Sequence, residues 1–443
     1  MKILFVIPEY PPHYGGGIAS FYQNLLPNFI QLNYQATVLV GSACTATLPS
    51  YVENHIKVSF LDTDLVSAYL HKFSHYKIIP ELQKHLAAAW AAWEQTNGGE
   101  GYDLVETTDW GMLFVPWVVM ENSPPSIVQL HASVGQIDFY DPSLTNPLAG
   151  HVTRLLESGL LSAADEIQAN SLSNAKEWQQ ITGRRVRYIP PALPLTPEYS
   201  SANTNKKGLV VGRIQYWKGV TILCEALQQL GHDAPDINWV GRDVTYQTSQ
   251  QSMSAYLGLH YPEIWGKKIH PLGTFPPEET RQLQSQAPFI LVPSIWDVFN
   301  YTCAEAMALA RPVLCSKGAG ASDLIEDGVN GFTFEPNDPT DLAGALQKVM
   351  SLSEQERETM GKAAQATVAN QLNPAKVAQQ RIEAYEDLIE RGKWPKRPHQ
   401  WLIDAVSPQE AMARPLAFLD QLPLKELTGY VSERFVKKIT KSN

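Results

Sequence analysis

The stretch Ile3-Leu4-Phe5-Val6-Ile7-Pro8 opens the chain as a continuous apolar run, the pattern of a strand buried on both faces of a parallel sheet. Pro8, Pro11 and Pro12 end it, Gly15-Gly16-Gly17 follow, and Ile18, Phe21, Leu25 and Leu26 then recur at helical spacing. The reading is strand, glycine loop, helix. Further strand candidates come at 36–40, 104–106, 127–130 and 166–169 with helical patterns between them, which predicts a doubly wound α/β domain over 1–195.

Residues 190–208 hold four prolines and then Ser200, Ser201, Asn203, Asn205 and two lysines, the composition of a linker. After it the pattern restarts. Strand candidates at 209–211, 237–240, 290–293 and 312–315, with a helix at 303–309, predict a second α/β domain over 206–372. Pro374 begins a helical stretch to about 389, and 373–443 reads as helices and a tail that pack back on the first domain.

The whole chain has 443 residues, 44% hydrophobic and 18% charged, which excludes a disordered or fibrous protein. Its formal charge of −10 gives no attraction to phosphate polymers, so no nucleic-acid partner is expected. Cys44, Cys224, Cys303 and Cys315 lie too far apart for a zinc site or a disulfide framework and read as reduced thiols. Ile3 to Pro8 is too short for a signal-peptide core, and no apolar run, Leu113 to Met120 included, has the ~20 residues of a membrane span. A cytoplasmic protein is expected. From Arg391 onward ten Lys or Arg face five acids, +5 against −15 elsewhere, and with Trp394, Trp401, Phe418 and Phe435 this tail suits peripheral contact with an anionic membrane or a charged partner. A solvated extension is the plainer reading of the same residues.

Two such domains create a cleft where strand ends and helix amino termini converge, a place for anionic ligands. Val211-Gly212-Arg213-Ile214-Gln215-Tyr216-Trp217-Lys218-Gly219 lies where the second domain's first strand gives way to a helix. Arg213 offers a planar fork and Lys218 a point charge, together able to neutralise a diphosphate. Downstream, Asp297 precedes a turn and Glu305 sits on the following helix, a spacing that aims two carboxylates and several loop N–H groups at the cleft. A helix cap is the alternative role for Asp297.

In this order, Gly16-Gly17-Ile18, His131, Gly212-Arg213 with Lys218-Gly219, and the 297/305 acid pair leading into Ala306-Met307-Ala308 and Pro312-Val313 resemble the family-4 retaining glycosyltransferases of the GT-B fold. Asp327-Gly328, Asn330-Gly331-Phe332 and Pro336 continue the resemblance, which runs to about residue 390. It implies two Rossmann-like domains and a nucleotide diphosphate sugar (UDP- or GDP-sugar) as co-substrate, with no metal and no other cofactor. It also implies that Gly16 and Gly17 approach the donor phosphates, that Arg213 and Lys218 hold the leaving diphosphate, and that Glu305 binds ribose hydroxyls. Asp297 would lie beside the transferred sugar, Phe299, Asn300, Tyr301 and Thr302 would present backbone N–H groups, and His131 would sit near the sugar's reacting face. Asp109 and Arg154 are acceptor-side candidates, for a sugar, sugar-phosphate, glycan or lipid-linked hydroxyl. The Arg184, Arg185, Arg187 group either meets a phosphorylated acceptor or flanks a strand. The chain departs from the family in having Asp297 where Glu is usual and Asn300 where Gly is usual. Two other classes therefore stay open: a nucleotide-sugar or glycan-binding protein without turnover, and a nucleotide-sugar epimerase.

Competing motifs carry little. Asp62-Thr63-Asp64 spells an acidic metal-binding triplet, but 18 aspartates in this chain make one such triplet a chance event. His71 and His75 have the i, i+4 spacing of metal ligands without a third ligand or an HExxH context.

Overall fold

The computed structural model describes residues 1–12, 16–42, 48–141, 147–195, 207–246, 248–395, 397–409 and 423–440. Gly15, Cys44, linker residues 196–206 and the tail residues Lys396, Glu410, Arg414, Phe418, Asp420 and Lys441 lie outside them.

Two separate sheets form. The first contains β1 (Lys2–Ile7), β2 (Gln35–Val40), β3 (Tyr51–Glu53), β4 (Ile56–Phe60), β5 (Leu104–Thr108), β6 (Ser126–Leu130), β7 (Glu166–Ala169) and β8 (Arg187–Tyr188). Their spatial order is β3-β4-β2-β1-β5-β6-β7-β8, parallel throughout except for the β3/β4 pair at one edge. The second is built from β9 (Gly208–Val211), β10 (Ile237–Val240), β13 (Ile269–Gly273), β14 (Ile290–Val292), β15 (Val313–Ser316) and β16 (Phe332–Phe334), all parallel, in the order β13-β10-β9-β14-β15-β16. Between β10 and β13 a two-stranded ribbon, β11 (Thr245–Tyr246) and β12 (Gln251–Ser252), stands apart. In each large sheet the first strand lies centrally and the connections run outward from it in both directions. The order reverses between β1 and β5 in one and between β9 and β14 in the other. Loops leaving the carboxyl ends of the strands at such a reversal splay apart and leave a crevice.

The strands follow from burial. Ile3 to Ile7 are all inaccessible, as the apolar run requires. β5, β6 and β7 are equally buried yet carry Glu106, Gln129 and Gln168 on one face. Buried polar groups need partners, and these find one in Arg381, itself fully buried. Its guanidinium donates to Glu106 Oε2 at 3.3 Å, Gln168 Oε1 at 3.3 Å and Gln129 Oε1 at 2.5 Å. Tyr22 and Tyr385 hydroxyls donate to the same Glu106 carboxylate. Arg381 and Tyr385 belong to the helix Pro374–Arg391, which follows the second domain in sequence and packs Val377, Ile382 and Leu388 into the first domain's core beside the helix Gly17–Gln31. The chain leaves and re-enters this region side by side, Leu193 N–H donating to Leu372 O at 2.8 Å.

The tail divides. Helix Gln400–Val406 buries Leu402 and Val406 in the first domain, where Trp90 Nε1 donates to Val406 O at 2.7 Å. Helix Leu424–Thr440 keeps Leu424, Val431, Phe435 and Ile439 exposed. No helix among the described residues is long and apolar enough to cross a membrane; Leu113 to Met120 instead contains the short buried helix Val115–Val119.

Candidate active site

The loops after β1, β5, β6 and β7 face those after β9 and β14 across a cavity of about 440 Å³. Gly16, Gly17, Ile18, Trp110, His131, Ala132 and Asn170 line it from the first domain, and Arg213, Trp217, Lys218 and the whole of 297–302 from the second. The two domains touch beside it. Ser171 Oγ donates to Val298 O at 2.6 Å, and Asp323 of the second domain accepts from Leu172 N at the start of a first-domain helix, at 2.8 Å.

On the second-domain side, Lys218 Nζ donates to Asp297 Oδ2 at 2.5 Å, their side chains only 18% and 15% exposed. Asn300 Nδ2 donates to the same oxygen at 3.0 Å. Arg213 makes no hydrogen bond with any described residue; its Cζ lies 5.8 Å from the Trp217 ring centre, and Lys218 Nζ lies 4.9 Å from the same ring. Burial lowers the Arg213 pKa, with Asp297 opposing and Arg242 reinforcing the shift. Gly219 closes this loop with φ +76°, and a Cβ there would stand 1.7 Å from Pro293 O, so only glycine lets the loop close on β14. The two cations are thus fixed by a carboxylate and an aromatic face.

Asn300 has φ +80° and caps the helix Tyr301–Ala308, its Oδ1 accepting from Cys303 N at 3.3 Å. Asparagine tolerates this backbone region better than other non-glycine residues and adds a cap that glycine lacks. The amides of Tyr301 and Thr302, in the first turn, have no acceptor within the helix and lie at the cavity wall. A Cβ on Gly17 would approach the Tyr301 ring to 3.3 Å, so the first-domain glycine loop packs directly on the second-domain helix.

On the first-domain side, His131 directly follows β6 and packs edge-on against Phe21 at 4.8 Å. Burial, reinforced by the Arg381 charge, pushes its pKa down to about 3, so the imidazole is neutral. Its Nε2 has no hydrogen-bond partner among the described residues. Ala132 follows with φ +105°, strained for a residue with a Cβ. Asp109 supports this turn from behind, one oxygen accepting from His131 N at 2.6 Å and Trp110 N at 2.8 Å. Burial pushes Asp109 up to about 7 and its neighbour Glu157 up to about 8.

Three of the expected site residues stand elsewhere. Asp109 lies under the cavity floor and not in its lining. Arg154 pairs with Asp138 at 2.5 Å, which occupies the fork offered to an acceptor. Glu305 points toward Gln284 and Arg281 on the neighbouring helix Pro277–Gln286, away from Asp297, and burial raises its pKa. Arg184, Arg187 and Arg391 line a separate cavity of about 680 Å³, where Arg187 is held by Glu166 and Asp387, Arg391 by Glu166, and Arg184 by backbone carbonyls. Arg187 and Arg391 are thus already paired with carboxylates, and Arg185 lines the same cavity. Asp62 caps the helix Thr63–Lys72, and among the described residues no three His, Cys, Asp or Glu come together as metal ligands. Sequence reasoning missed Trp217, Asn170 and Trp296, whose placement comes only from the fold.

Residues 196–367 match the family Glycosyl transferases group 1. The match covers the second domain, and the fold is GT-B. The fold rests on solved structures: sucrose-phosphate synthase of Thermosynechococcus elongatus has a TM-score of 0.68 at 17% identity over 88% of this chain and all of that one. HepE of Anabaena in complex with UDP-glucose has a TM-score of 0.61 at 18% identity over 87% of this chain and all of that one. In sequence, an uncharacterized glycosyltransferase of Methanocaldococcus jannaschii is 24% identical over 82% of this chain and 91% of that protein. A D-inositol 3-phosphate glycosyltransferase of Corynebacterium kroppenstedtii is 27% identical over 41% of this chain and 40% of its own length. Both relatives and the matched family are glycosyltransferases by name, and this chain is similar to them.

The Asn300 turn gives a direct stability test. Asn300→Ala loses the cap and leaves a Cβ at positive φ, and is expected to cost about 1–2 kcal/mol in chemical denaturation. Asn300→Gly relaxes the backbone and is expected to match the parent within ~0.5 kcal/mol. Equal stability of the Ala and Gly variants would show that the turn is unstrained.

Proposed function

We propose that this enzyme transfers a glycosyl group from a nucleotide diphosphate sugar to an acceptor hydroxyl with retention at the anomeric carbon, using fixed cations in place of a metal. The observation that carries the reading is the grouping of Arg213, Lys218 and the Tyr301 and Thr302 amides on the second-domain wall of the cleft, facing the Gly16-Gly17 backbone on the other. Lys218 keeps further donors beyond its bond to Asp297, and the first-turn amides have no acceptor within the helix, an arrangement suited to a diphosphate. HepE, of the same fold, was crystallised with UDP and with UDP-glucose, which supports a uridine donor.

The demanding step breaks the bond between the anomeric carbon and the diphosphate oxygen while a bond to the acceptor oxygen forms on the same face. Negative charge grows on the departing diphosphate, and stabilising it from a prearranged site is the largest source of rate. Arg213 and Lys218 do this, the acceptor hydroxyl passing its proton to the leaving phosphate oxygen. Asp297, held by Lys218 and Asn300, orients the sugar and makes no covalent bond to it. Neutral His131, with Nε2 unpartnered, accepts a hydrogen bond from, or donates one to, a sugar hydroxyl beside the reacting carbon.

Arg213→Ala is expected to slow transfer one to three orders of magnitude, the value of one or more hydrogen bonds to a charged group. Proton NMR of the parent with UDP-glucose and an acceptor panel should show a product of unchanged anomeric configuration, in the presence of EDTA as in its absence. Inverted product, or binding without transfer or hydrolysis, contradicts the reading. Conversion of the nucleotide sugar alone to its epimer would place the chain with the epimerases.

We further propose that helix Leu424–Thr440 lies on an anionic membrane. Leu424, Leu427, Val431, Phe435 and Ile439 form one stripe along it, and Lys425, Arg434, Lys437 and Lys438 outnumber Glu426 and Glu433 around them. Vesicles containing about a third phosphatidylglycerol should sediment the full chain, and Phe435→Glu should release it. Equal sedimentation of the two, or no preference for anionic over neutral vesicles, rejects a membrane role.

A further inference from the structure

We propose that Tyr140, a first-domain residue outside the lining of the cleft, positions the two phosphate-binding cations through a stack of aromatic rings. The inference rests on the donor assignment above and adds a residue to it. Arg213 and Lys218 both lie over the Trp217 ring. Trp217 stacks on Trp296 with ring centres 5.6 Å apart and planes 27° from parallel, and Trp296 stacks on Tyr140 at 4.7 Å and 7°. Trp217 and Trp296 belong to the second domain and Tyr140 to the first, so the stack crosses the cleft. Near-parallel rings at this separation are the favoured offset geometry and resist sliding.

The stack is held in register at both ends. Ile295 N–H donates to Trp217 O at 2.8 Å, which locks together the loops carrying the two tryptophans. Tyr140 Oη donates to Glu177 at 3.2 Å, and the Glu177 carboxylate also takes a hydrogen bond from the Trp296 side chain. Tyr140 ends the short helix Val134–Tyr140, whose amino terminus is fixed by a reciprocal Ser133–Gln136 cap directly after His131 and Ala132. One short capped helix therefore follows directly on His131 and Ala132 and carries the base of the stack at its end. Where the first domain stands relative to the second determines where Trp217 stands, and with it the two cations.

Other cross-domain bonds, among them Ser171 to Val298 and Leu172 to Asp323, do not involve Tyr140. Removing its ring should therefore loosen the grip on phosphate without separating the domains. Isothermal titration of the full chain with UDP and with uridine distinguishes this role from a structural one. Tyr140→Ala is expected to weaken UDP binding about three- to tenfold, the value of one aromatic pair, and to leave uridine binding unchanged. Tyr140→Phe keeps the ring and should restore UDP binding to within twofold, whereas Tyr140→Leu, similar in bulk but without a ring face, should behave as the alanine variant. The proposal is overturned if Tyr140→Ala and Tyr140→Leu bind UDP as the parent does while Arg213→Ala binds it weakly. It is equally overturned if UDP and uridine weaken together. If Arg213→Ala also binds UDP normally, the donor assignment itself fails and this positioning role with it.

Discussion

Two cations must stand side by side in a largely buried cleft and still be available to a ligand, and this constraint shapes the second domain's contribution. Lys218 meets it by pairing with Asp297, Arg213 by lying over Trp217. A carboxylate that bonded both cations fully would leave nothing for a diphosphate, and none at all would leave unpaired charge out of water. Asp297 lies between those limits, with its second partner, Asn300, drawn from the helix start that itself offers amides to the cleft. The shorter acid and the asparagine act as a set: the carboxylate is tied to the loop by the side chain that replaces the glycine.

The first domain solves a different problem. Its central strands carry polar side chains on a buried face, and the helix that returns from the second domain supplies the guanidinium that satisfies them. Cutting that helix free would strand Glu106 without its charge partner, a severe cost for a buried carboxylate. The same Arg381 lies 4.7 Å from the Phe21 ring, on which His131 packs, and its charge helps keep His131 neutral. The return helix thus reaches the chemistry of the cleft without touching it.

Much of this was legible in the chain. Continuous apolar runs such as Ile3–Ile7 and Ile237–Val240 mark strands buried on both faces, and the residues just after them sit at the crevice because parallel strands end there together. That is why Gly16, Gly17, His131, Arg213, Lys218 and Asp297 come around one cavity. β4 and β13 were not legible: Ile56–Phe60 alternates as a half-buried strand, and Ile269–Gly273 is an exposed edge containing Pro271. Arg381 looks like one more charge on a polar helix, and only the packing of that helix against the sheet shows it to be buried. Glu305 shows the limit of spacing arguments, since eight residues beyond Asp297 the helix has turned its carboxylate toward Gln284. The Tyr140–Trp296–Trp217 stack joins residues far apart in sequence, and no local pattern announces it.

The most direct test of the account is a crystal structure of the full chain with UDP. The account predicts the diphosphate in the cleft between the sheets, within hydrogen-bonding distance of both the Arg213 guanidinium and Lys218 Nζ. UDP seated instead in the arginine-lined cavity beside Arg184 and Arg391, or bound in the cleft with its phosphates turned away from Arg213 and Lys218, would contradict it.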